Sequence, residues 1–360
     1  MPEIDAYWAG EQTVLCRDDR SGLRAVIAVD DTTLGPGLGG VRLASYPSPQ
    51  AAATEAQRLA AAMTMKNALA GLPYGGAKSV IISSGPIPER AALMSAFGRF
   101  AARLRGTYIP GVDMGTTTED LTIMAAAGAT VSCATTDPSP WTAAGVFAAA
   151  LAAARHEFGD DDLTGRRVLV QGVGHVGTAL ARSFADRGAR VYVADIDAGR
   201  AVGVAQDIGA IAVPADRALA TPSDVFVPCA RARVIDAGLA RRLDTRIVVG
   251  AANDVFADDS VADVLAERRI VYVPDFVANA GGVVQIHALA DGWDTTRLDH
   301  AVAAIGDRVT TVLTAARRYG TPLRAAQEQA RRIVRAAAPL PRPTSGRPRQ
   351  ERTPSGKGHL

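Results

Sequence analysis

Two lysines stand twelve residues apart in the stretch MTMKNALAGLPYGGAK, residues 63–78 of a 360-residue chain that otherwise keeps charge outside its apolar segments. Lys66 falls near the end of an alanine-rich helical run, and Lys78 follows a Gly75-Gly76 turn and opens the apolar run Ser79-Val80-Ile81-Ile82. Thirty-five residues after Lys78, Asp113 occupies a glycine-rich turn, Pro110-Gly111-Val112-Asp113-Met114-Gly115, that follows another strand. A lysine among apolar neighbours ordinarily snorkels to water. Two amines and a carboxylate at element ends, beside glycines that let a ligand approach the backbone, can instead hold an amino acid and remove its amine.

The elements that must position these groups alternate. Leu23–Val29 reads as a strand, Leu34–Gly40 as a glycine-rich turn, and Gln50–Ala70 as a helix rich in good helix formers with no internal Gly or Pro. Val80–Ser83 follows as a strand, Glu89–Leu104 as a helix, and Tyr108-Ile109 as a short strand. The turn cluster Thr135-Thr136-Asp137-Pro138-Ser139-Pro140 ends this unit and sets a domain boundary at residue 138. A helix from Trp141 to Phe158 leads into the second unit, residues 139–290.

There the strand Arg167–Gln171 meets Gly172-Val173-Gly174-His175-Val176-Gly177, then a helix, then the strand Arg190–Ala194 ending at Asp195. Between strand and helix, with an acidic residue eighteen positions after the last glycine, this is the context of a dinucleotide site. Gly172 makes the tight turn, Gly174 admits the pyrophosphate, Val176 lies within the motif, and Gly177 lets helix pack on strand. The helix N-terminus offers N–H groups and positive dipole to the phosphates. Asp195 would bond the ribose hydroxyls and repel a 2′-phosphate, favouring NAD, with Asp197 the competing candidate. Further strands at Val225–Val227, Ile247–Val249 and Ile270–Val273 complete a doubly wound parallel sheet. Their C-terminal ends carry Ala230, Asn253 and Asn279, at the edge where such sheets bind ligands. Residues 291–338 read as helices packing back between the lobes.

Composition narrows the class. Hydrophobic content of 48% and charge of 21% are those of a globular protein, and no apolar run reaches a membrane span. The N-terminus has no basic region of the secretory kind. Cys16, Cys133 and Cys229 suit reduced cytoplasmic thiols and offer no zinc motif. The net charge of +2 conceals a basic tail: residues 339–360 contribute +4, leaving the body at −2. That tail lacks aromatic residues for stacking on bases, so a disordered tail is expected and no nucleic-acid partner.

In series, Asp31–Gly40, the lysine stretch, Asp113-Met114-Gly115-Thr116-Thr117, Gln171–Gly177, Gly250–Asn253 and Pro274–Gly282 resemble the Glu/Leu/Phe/Val dehydrogenase family, in its leucine, valine and phenylalanine dehydrogenase branch. The resemblance implies two α/β domains, an N-terminal substrate and oligomerisation domain and a Rossmann NAD-binding domain. It implies reversible NAD-dependent oxidative deamination of an L-amino acid to its 2-oxo acid and ammonium, by a homo-oligomer. By position, Lys66 resembles the lysine that binds the substrate carboxylate, helped by backbone near Gly39 and Gly40. Lys78 resembles the catalytic lysine, Asp113 the acid/base on the amino group, and Asn253 the asparagine orienting substrate and nicotinamide. Thr142 matches a threonine near the nicotinamide carboxamide.

The chemistry asks for these types. Hydride can leave Cα only when the amine is neutral, so a carboxylate must take its proton. Water must then attack the iminium, and a lysine whose pKa is lowered by burial and a second cation can activate it. The expected pocket residues Leu38, Gly39, Met63, Ala144 and Val283 offer no cation for a side-chain carboxylate, which favours an apolar amino acid over glutamate. Three departures from the family fall near the cleft: Ala77 in place of a third glycine, Asp254 in place of a second asparagine, and a shorter connection before Pro138. They leave open a related dehydrogenase or imine reductase acting on a non-proteinogenic amino or oxo acid. A silent NAD-binding protein is disfavoured by the presence together of Lys66, Lys78 and Asp113.

Overall fold

A computed structural model describes residues 9–83, 85–132, 136–230 and 232–338; Cys133 and the basic tail lie outside them. The first unit contains strands β1 (Gln12–Asp18), β2 (Leu23–Asp31), β3 (Gly37–Ala44), β4 (Gly75–Ile82) and β5 (Tyr108–Val112), in the order β1-β2-β4-β3-β5. The β1–β2 and β2–β4 pairs are antiparallel, and the β4–β3 and β3–β5 pairs are parallel. Helices α1 (Pro49–Ala70), α2 (Arg90–Arg103) and α3 (Thr118–Ala126) complete it.

Helix α1 starts where the Ser48 side chain accepts the Ala51 N–H and Pro49 supplies a preset φ, and it ends at Gly71 with φ +69°. It covers one face of the sheet, where Val26, Ala28 and Val80 meet Ala52, Ala56 and Ala60. On the other face Ala77, Ile81, Leu23 and Ile27 pack on Met94 and Phe97 of α2.

Two expectations change here. Gly37–Gly40 and Gly75-Gly76 are strand, not turn, so Lys78 lies inside β4 rather than at its start. The glycines serve close packing: a Cβ on Gly39 would lie 1.6 Å from the Ala77 carbonyl oxygen, and one on Gly76 would lie 2.2 Å from the Thr64 nitrogen. Alternation along β4 then puts Gly76, Lys78 and Val80 under α1 and turns Ala77 into the opposite core. The Ala77 methyl is therefore not beside the lysine in the cleft; it faces Gly37, where a Cβ would approach it to 2.8 Å.

Helix α4 (Ser139–Phe158) leads to the second sheet, β6 (Arg167–Gln171), β7 (Arg190–Ala194), β8 (Ile211–Ala212), β9 (Val225–Pro228), β10 (Ile247–Val248) and β11 (Val271–Tyr272). All its pairs are parallel, in the order β11-β10-β9-β6-β7-β8, with helices α5 (His175–Asp186) and α6 (Ala198–Ile208) among its crossovers. The fold is two-domain α/β with a doubly wound parallel second sheet. Helices α7 (Ala237–Ala240), α8 (Val261–Glu267), α9 (Asp275–Ala278), α10 (Gly281–Ala290), α11 (Thr295–Ala303), α12 (Ile305–Tyr319) and α13 (Pro322–Ala337) follow. Helix α12 packs on α4 and α13, and α13 packs back on α1 of the first unit. Among the described residues no helix is long and apolar enough to cross a membrane.

Candidate active site

Helix α1, the strand ends of the first sheet and the loop after β10 enclose a cavity of about 400 Å³, a size typical of small-molecule sites. Lys66, Lys78, Asp113, Asn253, Leu38, Gly39, Gly40, Met63 and Val283 all line it. Ala144 does not; it is exposed on α4, while its neighbours Ala143 and Gly145 are turned inward. Val112 and Ile286 add further apolar wall.

Both lysines are buried, at 9% and 7% exposure. Lys78 Nζ lies 3.2 Å from Asp113 Oδ2, and Lys66 Nζ donates to Asn253 Oδ1 at 3.2 Å, across from the first unit to the second. Burial pushes the Lys66 amine down to about 8; Asp275 opposes the shift, and Lys78 adds to it. Burial also lowers Lys78, partly opposed by Asp113, and the second cation acting on it is Arg42. Burial alone would raise the Asp113 carboxyl, but Lys78 and Arg42 together hold it down at about 2.

Arg42 is the group that the sequence reading missed. It donates from Nε to Asp113 Oδ2 at 2.8 Å and from Nη1 to Glu55 Oε1 at 2.8 Å. A signal was present: Arg42 is two residues beyond Gly40 on β3, hence on the same face. A Cβ on Gly40 would itself lie 3.2 Å from Lys78 Nζ and 2.7 Å from Asp113 Cβ. Arg42 and Arg58 also correct the expectation that this cavity lacks further cations. Each is already paired with carboxylates, Arg42 with Asp113 and Glu55, and Arg58 with Glu55 and Asp254. Asp254, expected near the cleft, lines this cavity.

The dinucleotide motif forms a separate place. Gly172 has φ +91°, and a Cβ there would strike Ala230 at 2.6 Å. A Cβ on Gly177 would lie 1.9 Å from the Gly172 carbonyl oxygen, whereas Gly174 faces open space at the start of α5. Val176 is half-buried against the core. Asp195 Oδ2 accepts the Val173 N–H at 2.9 Å and Oδ1 the Asp197 N–H at 2.9 Å, so its carboxylate is aimed at the glycine-rich turn. Asp197 instead caps α6, accepting the Arg200 N–H. Thr142 donates to the Pro138 carbonyl oxygen and abuts Gly282. Asn279 braces Asn253: its Nδ2 donates to Asn253 Oδ1 at 2.8 Å and to the Ala251 carbonyl oxygen, while its buried Oδ1 has no partner among the described residues.

Residues 11–129 match the model of the Glu/Leu/Phe/Val dehydrogenase dimerisation domain, and residues 193–337 that of the Glutamate/Leucine/Phenylalanine/Valine dehydrogenase domain. The chain belongs to the Glu/Leu/Phe/Val dehydrogenase family. It is 40% identical to a leucine dehydrogenase of Thermoactinomyces intermedius, over 87% of each chain. It is 36% identical to a valine dehydrogenase of Streptomyces virginiae, over 89% of this chain and 92% of that protein. An L-tryptophan dehydrogenase from Nostoc punctiforme superposes with a TM-score of 0.78 at 31% identity, covering 94% of this chain and 99% of that one. As a member of this family the chain is an amino-acid dehydrogenase, an oxidoreductase acting on CH–NH2 donors with a nicotinamide cofactor.

Proposed function

We propose that this chain catalyses the reversible NAD-dependent oxidative deamination of an apolar L-amino acid to its 2-oxo acid and ammonium. One observation carries the reading: two buried lysines and a carboxylate converge on a cavity whose apolar wall includes Leu38, Met63, Val112, Val283 and Ile286. The two arginines of that cavity are already paired with carboxylates. A side-chain carboxylate would therefore be buried without a counter-charge, which disfavours glutamate.

Lys66 binds the substrate carboxylate, exchanging its bond to Asn253, with Gly39 and Gly40 letting the substrate approach the backbone. Asn253, held by Asn279, then orients the substrate. Asp113 gives Oδ2 to Arg42 and Lys78, which leaves Oδ1 for the substrate amine. Asp113, held ionised in the free protein, accepts the proton of the substrate ammonium, while the lowered pKa of Lys78 lets it stand uncharged closer to neutral pH and so free to take a proton from the attacking water. Lys78 then activates the water that attacks the iminium.

The residues of the second sheet fit a dinucleotide. Gly172, Gly174, Val176, Gly177 and Ala230 form the pyrophosphate turn at the N-terminus of α5. Asp195 binds the ribose and, by its charge, selects NAD over NADP. Thr142 and the Oδ1 of Asn279, which has no partner among the described residues, suit the nicotinamide carboxamide. When bound, the cofactor supplies the hydride acceptor.

We place the protein in the cytoplasm as a homo-oligomer joined through the first domain. Its buried free Cys16 and the exposed Leu15 on edge strand β1 suit that reading. The test is NADH formation with a panel of L-amino acids, and its reverse with 2-oxo acids and ammonium. Turnover with leucine, valine, phenylalanine or tryptophan and none with glutamate is expected. NAD binding without turnover of any apolar amino acid would overturn the reading.

A further inference from the structure

The cavity carries more charge than deamination itself requires. Beyond Arg42, Glu55 accepts Arg58 through Oε2, from Nη2 at 2.8 Å and Nε at 3.1 Å. Arg58 Nη1 then crosses from α1 to the loop after β10, 2.8 Å from Asp254 Oδ1. Asp254 is held there in turn: Arg233 Nε approaches its Oδ2 at 3.2 Å, and its own N–H donates to Asp275 Oδ2 at 2.5 Å. Its φ of +55° is a left-handed conformation that Asp and Asn tolerate better than most residues. Charges of alternating sign thus run without a gap from Lys78 through Asp113, Arg42, Glu55 and Arg58 to Asp254. Only the last belongs to the second unit.

We propose that Asp254, acting through Arg58, Glu55 and Arg42, is a positioning residue: this interdomain pair holds Arg42 against Asp113, so that domain closure and orientation of the amine-binding carboxylate occur together. The proposal rests on the assignment of Asp113 given above. Burial grades along the relay in the required direction. Arg42, Asp113 and Glu55 are 13–19% exposed, Arg58 and Asp254 about a third or less, and Arg233 over half. Exposed pairs contribute little, but removing a partner inside the cleft leaves a desolvated charge that must find another arrangement. Arg42 is the branch point: two separate nitrogens of its planar fork each serve one carboxylate, a geometry that the single ammonium of a lysine does not reproduce.

The experiment measures kcat, KM and the pH profile of kcat/KM for Asp254→Asn, Glu55→Gln, their double variant, Arg42→Gln and Arg42→Lys, using whichever apolar amino acid the chain turns over. Asp254→Asn keeps a residue suited to the left-handed position, so the loop retains its shape. Asp254→Asn and Glu55→Gln should each lower kcat about tenfold, short of the ~10²-fold that an ångström of misplacement can cost. NADH affinity should be unchanged, and the double variant should be no worse than the poorer single, as one network requires. The titratable and charged groups around Asp113 and its two cations are Lys78 from β4, Arg42 from β3, Tyr108 from β5, Lys66 and Glu55 from α1, and Tyr46 just beyond β3. Loss of the Arg42 guanidinium removes a cation that lowers both Asp113 and Lys78. In Arg42→Gln the fall in activity on the acid side should therefore begin at higher pH. Arg42→Lys should leave that limb in place while losing its coupling to Asp254. Additive losses in the double variant, or wild-type kcat in Asp254→Asn, would overturn the relay. Near-wild-type turnover in Asp113→Asn would instead overturn the assignment beneath it.

Discussion

Arg42 and Asp113 are joined by a 2.8 Å bond from Nε to Oδ2, and that same oxygen also receives Lys78. One oxygen of the carboxylate is thus fixed by two cations, and the proposed mechanism assigns the other to the substrate amine. Because Asp113 is held at about 2, it is ionised at every workable pH, and the proposed mechanism assigns the acid side of the wild-type profile to Lys78. Protonated Lys78 cannot take a proton, so deamination should quicken as pH rises through its lowered pKa. A kcat/KM profile against pH checks this, and a rate that falls over the same rise would contradict it.

Lys66 imposes the opposite limb. In its proposed role it binds the substrate carboxylate only while charged, and its amine loses its proton near 8 in the free protein. KM for the amino acid should therefore climb as pH rises past about 8, without a matching loss of kcat. Lys66→Met removes a charge-assisted bond, for which KM should rise about 10–10²-fold. Initial-rate kinetics across pH separate the two parameters.

Ala77 should affect stability rather than substrate choice, since its methyl is in the core between β4 and α2 and not in the cavity. Ala77→Gly should cost about 1–2 kcal/mol, from the lost methyl burial and the added chain entropy of glycine. The ranking of amino acids by kcat/KM should not change. Denaturant unfolding beside a substrate panel tests both halves.

Much of this site was legible because its chemistry sits in short runs. Lys66, Lys78, Asp113 and the 172–177 turn each stand in a stretch whose glycines and apolar neighbours betray a close approach. What escaped notice depends on pairing across strands. Gly37–Gly40 reads as a turn locally and becomes a strand only because β4 and β5 flank it too closely for side chains. Arg42 gained its meaning from that register, and Arg58 and Asp254 from a contact 196 residues apart in sequence that no local pattern encodes. Asp195 and Asp197 are likewise alike in type and two residues apart, and only the fold shows Asp197 engaged as the cap of α6.

Cofactor choice should follow Asp195. Asp195→Asn removes the charge that would repel a 2′-phosphate and leaves Arg200, whose Nη1 is 3.4 Å from Asp195 Oδ1, beside the vacated charge. NADH should bind about 10–10²-fold more weakly, while NADPH binding improves. Fluorescence titration of both cofactors measures the switch, and an unchanged preference would remove Asp195 from the ribose site.

The central claim is that Lys78 performs the chemistry in a cavity distinct from the dinucleotide turn. Its most direct test is the Lys78→Ala variant, assayed for turnover and, in the same preparation, for NADH binding. We predict that turnover falls by at least the ~10²–10⁴-fold of a lost proton-transfer group, with the Kd for NADH unchanged. Near-wild-type turnover in that variant would contradict the account.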